Sequence, residues 1–242
     1  MKIWNWRSQL SNTEHSSTDI SDLSLEEAVE FAENPEPRCP CILLLDTSGS
    51  MQGEAINALN DGLRTFKHQL NQDNLAKKRV EVAIITFNTE VAVVQDFVTS
   101  DEFEPPTLAA EGLTQMGAAI LQGLEMIEAR KAQYRAHGVA YYRPWVFLIT
   151  DGEPQGEPDS LLEKAAQQIK NDEEHQRVAF FAVGMEEANM TRLSQIGKRS
   201  PLKLKGLNFQ ELFIWLSASM QQVSKSQLEE QLPLPPADWQ IE

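Results

Sequence analysis

The sequence contains few cysteines. Of its 242 residues only Cys39 and Cys41 are cysteine, and a single proline separates them. Two cysteines this close in sequence cannot provide the disulfide framework that joins distant parts of many small extracellular folds. We interpret them as structural thiols at the entrance to a strand. This cysteine usage fits a reducing compartment, and we predict a cytoplasmic protein.

Basic residues and long apolar segments are also scarce. The chain has 21 Lys and Arg against 36 Asp and Glu, which gives a formal net charge of −15. This balance argues against nonspecific binding of nucleic acid or anionic lipid, because both are held mainly by cationic side chains. No apolar run approaches the roughly 20 residues that a membrane helix needs. We therefore predict no nucleic-acid partner and no membrane association.

Hydrophobic residues make up 41% of the chain, which is enough for the core of one main domain. Residues 1–38 are polar and acidic, and they are predicted to form an N-terminal arm with one short helix at Leu25–Ala32. Residues 39–224 are predicted to form the domain. Residues 225–242 are rich in proline, and they form either a strap anchored by Trp239 or a docking peptide for a partner.

Short apolar runs alternate with amphipathic helical patterns from residue 41 onward, which predicts an α/β fold with a doubly wound sheet. Most strands are apolar on both faces, as in a parallel sheet covered by helices on each side. The connection Asn88–Glu90 is so short that it predicts a hairpin, and hence one antiparallel edge strand. In chain order the predicted elements are strand Ile42–Leu45, helix Glu54–Leu70, strands Val80–Phe87 and Val91–Phe97, helix Met116–Tyr134, strand Trp145–Thr150, helix Asp159–Lys170, strand Val178–Val183 and helix Phe209–Val223.

Oxygen-bearing side chains follow two of these strands. Asp46 ends the first strand and is followed by Ser48 and Ser50, and Asp151 follows the strand Trp145–Thr150. Thr114 precedes the helix Met116–Tyr134. Because the carboxyl ends of parallel strands meet at one edge of a sheet, these five side chains are predicted to converge. Two carboxylates and three hydroxyls suit a hard divalent cation, Mg²⁺ or Mn²⁺.

Each of these residues also has an ordinary structural explanation. Asp, Ser and Thr are the preferred N-caps of helices, so Asp46, Ser48, Ser50 and Thr114 can all be read as caps. Asp151 followed by glycine is a common turn signal. The order of the five residues, and the position of two of them at strand ends, favours the metal site over separate caps and turns.

The same residues resemble a known family. Asp46, Ser48 and Ser50 in an Asp-x-Ser-x-Ser pattern, then Thr114, then Asp151 with Gly152, resemble the metal-ion-dependent adhesion site (MIDAS) of von Willebrand factor A (VWA) domains. The resemblance covers about residues 39–224. It implies a Rossmann-like, mostly parallel six-stranded sheet with one antiparallel edge strand and helices on both faces. It also implies that the two serines bind the ion directly, and that the two aspartates often bind it through water.

Finer features resemble a bacterial intracellular branch of the family that is associated with tellurium-resistance and related stress-response or conflict operons. These features are the segments 45–51, 85–87 and 112–117 and the Leu-Pro-rich end with Trp239. The resemblance implies an operon-encoded phosphatase, kinase or ATPase as a partner. The arm before Cys39 departs from many single-domain members, so the partners of shorter relatives do not transfer directly.

The leading functional prediction is an interaction module, not an enzyme, that binds an acidic side chain of a protein partner through the ion. The alternative is a metal-dependent hydrolase or phosphatase that uses the same site. No candidate general base or nucleophile supports the alternative, and Ser48 stands where a phosphoaspartate phosphatase has a second aspartate. A nucleotide-binding domain is a third hypothesis. The sequence contains neither a Gly-x-x-x-x-Gly-Lys motif nor a Gly-x-Gly-x-x-Gly turn after the first strand, so it gives no support for phosphate binding.

An acidic segment follows Asp151 and contains Glu153, Glu157 and Asp159. These residues form either a solvated loop, with Asp159 capping the next helix, or a rim around the metal. A rim would repel an acidic partner unless that partner also carried Lys or Arg. On that hypothesis, reversing Glu153 and Glu157 to Lys would change the association rate more than the metal affinity.

Overall fold

The structure, a computed structural model, describes residues 29–228 and residue 237. The chain divides into two units, of which one ends at Pro35 and the other begins at Glu36. In the first unit residues 29–33 are helical, which covers the described part of the predicted helix Leu25–Ala32. Residues 1–28 of the predicted arm and most of the predicted tail, including Trp239, lie outside the described residues.

Six strands of the second unit form one sheet in the order β3-β2-β1-β4-β5-β6. Neighbouring strands run parallel except for β2 and β3, which are antiparallel. This confirms the predicted doubly wound α/β fold with one antiparallel edge strand. The strands are β1 (Cys39–Asp46), β2 (Val80–Phe87), β3 (Val91–Thr99), β4 (Trp145–Thr150), β5 (Ala179–Gly184) and β6 (Leu202–Lys203).

Apolar side chains on both faces of the central strands build two core layers. Along β1, Leu43 and Leu45 point into one layer, and Ile42 and Leu44 point into the other. All four are fully buried because helices cover both faces of the sheet. A strand that is covered on both sides has no face in contact with solvent. This explains why the sequence of β1 is a continuous apolar run and does not alternate between apolar and polar residues.

The helices complete the two outer layers. The longer ones are α1 (Glu54–Asn71), α3 (Met116–Ala136), α4 (Asp159–Glu174) and α6 (Phe209–Lys225), and the one-turn helices are α2 (Ala76–Arg79) and α5 (Met190–Leu193). Buried side chains of α1 and α6 belong to one layer, and those of α3 and α4 to the other. Within the part of the chain that is described, no helix combines the length and the apolarity needed to cross a membrane.

Helices α1 and α6 pack closely because Gly62 of α1 has no side chain. A Cβ atom at Gly62 would lie 2.6 Å from the Phe213 ring of α6. The apolar stripe predicted for α1 is buried in this contact, as is most of the stripe of α6. The buried stripe residues are Ile56, Leu59, Leu63, Phe66 and Leu70 of α1, and Phe209, Leu212, Phe213, Leu216 and Met220 of α6.

The predicted hairpin joins β2 to β3 through three residues, 88–90. Phe87 pairs with Val91 at the closed end, and the register shifts between Val82 and Ile85 farther along. The hairpin places its turn at the carboxyl end of β2. That end lies at the same edge of the sheet as the end of β1, because Asp46 pairs with Phe87.

Candidate metal centre

Asp46 is the last residue of β1, and hydrogen bonds fix both oxygens of its side chain. The Ser48 backbone N–H donates to Asp46 Oδ1 at 2.9 Å. The Thr150 hydroxyl, at the end of β4, donates to Asp46 Oδ2 at 2.6 Å. The carboxylate is fully buried. Its orientation is therefore set by the loop that follows β1 and by the neighbouring strand.

A chain of short polar contacts continues from this loop to the end of β4. Ser48 Oγ lies 3.0 Å from Ser50 Oγ, and Ser50 Oγ donates to Asp151 Oδ1 at 2.9 Å. Ser48 is buried and Ser50 is exposed, so the chain runs from the interior to the surface. Ser50 thus contacts both Ser48, two positions away in sequence, and Asp151, 101 positions away.

Backbone hydrogen bonds tie Thr114 to the same edge. The Thr114 N–H donates to the Gln155 carbonyl at 3.1 Å, and the Gln155 N–H donates back at 2.9 Å. Two residues earlier, the Gly112 carbonyl accepts from the Gly49 N–H at 3.0 Å. Thr114 is 4% exposed, and its hydroxyl makes no hydrogen bond to a described residue. The lone pairs of this hydroxyl therefore remain available to a ligand.

We call these five residues, Asp46, Ser48, Ser50, Thr114 and Asp151, the candidate metal centre. The hydroxyl groups among them do not act as helix caps. Ser48 stands at the N-cap of a single 3₁₀ turn (Gly49–Met51) without a side-chain capping bond, and the N-cap of α3 is Gln115, the residue after Thr114. The capping explanation of the hydroxyls therefore does not describe this structure.

The two carboxyl groups are held in surroundings that disfavour their charge. Burial raises the pKa of Asp46 to about 6, although the hydrogen bonds from Ser48 and Thr150 lower it. The nearby Asp151 also raises this pKa. Burial raises the pKa of Asp151 as well, although the hydrogen bond from Ser50 lowers it. Desolvated carboxylates without a basic neighbour favour a proton or a cation.

The donor set fits a hard divalent cation. It consists of two carboxylates and three hydroxyls, all of them oxygen donors, with the unpartnered Thr114 hydroxyl among them. Mg²⁺ and Mn²⁺ prefer such ligands, and Mg²⁺ usually keeps several waters in its shell. Among the described residues, no group of three or more His, Cys, Asp and Glu side chains is arranged to hold a metal ion, so the hydroxyls are essential to this donor set.

The acidic residues after Asp151 do not form a free rim. The Glu157 carboxylate accepts from the Gly117 N–H at 2.6 Å and from the Ala118 N–H at 3.1 Å, in the first turn of α3. Glu153 accepts from the Asn189 side chain. Asp159 is the first residue of α4, pairs with Arg192 and makes no capping bond. Reversing Glu157 to Lys would disrupt the start of α3, so that variant does not isolate an electrostatic effect on association.

Sequence analysis missed the roles of Thr150 and Glu157. Thr150 is a single hydroxyl residue at the end of the apolar strand β4, directly before Asp151, and this position was a signal that it faces the same polar edge. Glu157 carried no comparable signal. It lies 40 positions from the helix that it caps, and only the folded chain brings the two together.

Comparison with known proteins agrees with this geometry. Residues 41–211 match the family described as von Willebrand factor type A domain. No curated protein matches the sequence significantly. The matched segment includes all five residues of the candidate metal centre.

Several solved structures share the fold at low identity. The ArnB paralog VWA2 from Sulfolobus acidocaldarius has a TM-score of 0.50 and 15% identity, over 77% of this chain and 45% of that chain. The pilus adhesin SpaC from Lactobacillus rhamnosus GG has a TM-score of 0.62 and 14% identity, over 77% and 30%. The vWF domain of the type V pili tip protein Mfa5 from Porphyromonas gingivalis has a TM-score of 0.53 and 9% identity, over 78% and 95%.

This chain spans less than half the length of the first two of these structures. At these identities the likeness concerns the fold alone. The family match, in contrast, covers well over half of the 242 residues and contains the Asp-x-Ser-x-Ser pattern together with Thr114 and Asp151. On that match and on the sheet topology, the chain belongs to the von Willebrand factor type A domain family.

Proposed function

We propose that this protein is an interaction module that binds an acidic side chain of a protein partner through Mg²⁺ or Mn²⁺. The observation that carries the proposal is that Ser50 lies within hydrogen-bond distance of both Ser48 and Asp151, beside the buried carboxylate of Asp46. Membership of a family of metal-binding interaction modules supports it.

The predicted ligands differ in whether their side-chain oxygens already accept hydrogen bonds from the protein. Both oxygens of Asp46 already accept hydrogen bonds, which favours a role through water. The hydroxyls of Ser48, Ser50 and Thr114 have lone pairs for direct contact. The two carboxylates only neutralise the 2+ charge of a bound ion and leave no excess negative charge around it. The ion would therefore remain electrophilic and could accept a partner's carboxylate as a further ligand.

We favour binding over hydrolysis because of the residues around the candidate metal centre. The described hydrogen-bond partners of its side chains are Thr150 and one another, and none of these is a histidine, lysine or cysteine that would serve as a general base or nucleophile. A metal-dependent hydrolase or phosphatase at this site remains the alternative proposal.

The context of this function is also a proposal. The resemblance of the motif segments to the tellurium-resistance branch leads us to propose a cytoplasmic stress-response or conflict system. The partner in that system would be an operon-encoded phosphatase, kinase or ATPase. A pull-down with each neighbouring gene product, with and without chelator, tests this context separately from the metal site.

Calorimetric titration of Mg²⁺ and Mn²⁺ into chelator-treated protein tests the metal site. We expect binding at one site, lost or severely weakened in Asp46→Ala and in Thr114→Ala, because each substitution removes one of only five oxygen-bearing side chains. The matched controls are Asp101→Ala and Thr65→Ala, which lie outside the candidate metal centre and should bind as the wild type does. Absence of binding in the folded wild type, or equal binding in all variants, would contradict the proposal.

A further inference from the structure

A cavity of about 380 Å³ opens between the β2–β3 hairpin and the loop that leads to Thr114. We call it the side cavity. Its polar lining comes from the end of β2, from the hairpin turn and from the loop. The residues concerned are Thr86, Asn88, Thr89, Glu90, Glu111 and Gly112.

Backbone hydrogen bonds join the side cavity to the loop that carries Ser48 and Ser50. The Glu111 N–H donates to the Thr47 carbonyl at 2.9 Å, and the Gly49 N–H donates to the Gly112 carbonyl at 3.0 Å. Thr114 follows Gly112 by two residues, which is at most about 7 Å of backbone. One segment of a partner can therefore reach both places at once.

The glycine at position 112 keeps the hairpin turn against this loop. Its φ is 75°, and a Cβ atom there would lie 2.2 Å from Thr89 Oγ1. The Thr89 hydroxyl accepts from the Leu113 N–H at 3.1 Å, and the Gln115 N–H donates to the Asn88 carbonyl at 3.1 Å. These contacts hold the turn that carries Glu90 in place on one side of the side cavity.

The side cavity presents hydrogen-bond acceptors and negative charge. Glu90 and Glu111 are exposed, and their carboxylates make no hydrogen bond or ion pair with a described residue. Among the described residues that line the side cavity, none is a lysine, arginine or histidine. Two free carboxylates in one cavity favour a cationic occupant.

Thr86 gives a second and independent indication of a ligand. It lines the side cavity at the carboxyl end of β2 and is only 9% exposed. Its hydroxyl makes no hydrogen bond to any residue that the structure describes. The hydroxyl oxygen is not sealed from solvent, so it can form a hydrogen bond with a group that enters the side cavity.

We propose that the side cavity receives an arginine side chain of the same protein partner whose carboxylate binds the metal ion. This inference rests on the proposed function, and it specifies a partner segment with an arginine close in sequence to its metal-binding acid. A guanidinium group carries five donors in a planar fork, which suits acceptors spread over Glu90, Glu111 and Thr86. A second metal ion is a weaker fit, because the Glu90 and Glu111 carboxylates are exposed and no hydrogen bond from a described residue orients them, in contrast to Asp46.

The test uses N-acetyl-argininamide as the probe, titrated into the full chain in the presence of chelator. Binding is followed by NMR through the backbone amides of Glu90 and Gly112. N-acetyl-citrullinamide, which has nearly the same shape without the charge, is the matched probe. We expect saturable shifts with the arginine probe and binding of the citrulline probe that is weaker by about tenfold or more.

Substitutions inside and outside the side cavity test where the arginine probe binds. Glu90→Gln combined with Glu111→Gln should weaken the arginine probe by about tenfold or more, and Thr86→Val should weaken it to a smaller extent. Glu102→Gln combined with Glu125→Gln removes the same charge from exposed positions elsewhere and should have no effect. Equal binding of the two probes, or unchanged binding in the Glu90 and Glu111 variant, would overturn the inference.

Because these titrations contain no metal ion, their result is independent of the calorimetric test of the candidate metal centre. Binding of the arginine probe without Mg²⁺ binding would contradict the metal-bridged function while supporting a cation site. Mg²⁺ binding without binding of the arginine probe would retain the metal-bridged function and reject the role of the side cavity.

Discussion

At the scale of single residues, the proposed metal binding depends on how the Asp46 carboxylate is oriented. Its carboxylate is buried and receives hydrogen bonds from the Ser48 backbone and the Thr150 hydroxyl. Groups that orient a metal-binding side chain without touching the metal are often nearly as important as the ligands. Thr150 is the residue in this structure that best fits that description.

Thr150→Val removes the hydroxyl and keeps the shape of the side chain. We expect the Mg²⁺ affinity to fall by about 10- to 100-fold, because the Asp46 carboxylate loses one of its two orienting bonds. Calorimetric titration of wild type and variant measures this change. Thr65→Val in α1 is the control, and an unchanged affinity in Thr150→Val would show that Thr150 does not position Asp46.

The pKa of Asp46 predicts a dependence of folding on pH. Because burial raises this pKa to about 6 in the metal-free protein, from an ordinary value of 3.8, the native state binds the proton more tightly than the unfolded state. The free energy of unfolding of the metal-free protein should therefore rise as the pH falls from about 6 to about 4. In Asp46→Asn this contribution should be absent.

Urea denaturation of the chelator-treated protein across this pH range measures the effect. At neutral pH the free energy of unfolding of metal-free Asp46→Asn should exceed that of the metal-free wild type by at most about 3 kcal/mol. Metal binding should show the opposite trend, because the cation competes with the proton and its affinity should fall below pH 6. A metal-free wild type that loses stability over this range, relative to Asp46→Asn, would contradict the assignment.

At the scale of elements, the longer strands and helices could be predicted from the sequence because each carries a repeated pattern. Strands β2 and β4 match the predicted ranges Val80–Phe87 and Trp145–Thr150, and the amphipathic helices differ only at their ends. The two-residue strand β6 and the one-turn helices α2 and α5 were not predicted. Elements of two to four residues are too short to show a period, and tertiary contacts define them.

The ends of the elements carry the candidate metal centre, and its assembly could be predicted only in outline. Parallel strands deliver Asp46 and Asp151 to one edge, which follows from topology. The contacts that fix the site, such as the Glu157 carboxylate on the first turn of α3, join residues far apart in sequence. The alternating pattern of apolar residues holds no information about such contacts.

Glu157→Ala should weaken the start of α3 and lower the free energy of unfolding by about 1–2 kcal/mol, because two backbone N–H groups lose their acceptor. Chemical denaturation measures the loss. Glu153→Ala, whose side chain bonds only an exposed asparagine among the described residues, should change the free energy by no more than about 0.5 kcal/mol. Equal effects of the two substitutions would contradict the capping role.

At the scale of the whole domain, the two ends of the strands differ. The carboxyl ends of the strands carry the candidate metal centre, and the amino end of β2 carries a buried cluster of charged and hydroxyl side chains that bind one another. Glu81, the second residue of β2, is fully buried and accepts from Arg38 Nε at 2.8 Å and Arg130 Nε at 2.9 Å, and also from the Tyr134 hydroxyl. It lies six residues before Phe87, about 20 Å along the strand from the candidate metal centre.

Glu81→Gln should therefore affect folding and not metal binding. Removing the charge leaves two buried arginines without their carboxylate, and we expect the free energy of unfolding to fall by about 3–5 kcal/mol. The Mg²⁺ affinity of the folded variant should equal that of the wild type. Glu104→Gln, at an exposed pair with Lys67, should cost about 1 kcal/mol at most. A change in affinity at position 81 would show that the two ends of the strands are coupled.

The proposed function requires a divalent cation to bind among the side chains at the ends of β1 and β4. Diffraction at the manganese absorption edge from crystals grown with Mn²⁺ would locate this cation. We expect one anomalous peak, within about 2.5 Å of the hydroxyl oxygens of Ser48 and Ser50, and no peak in Asp46→Ala. A peak at another place, or none in the wild type at saturating Mn²⁺, would contradict it.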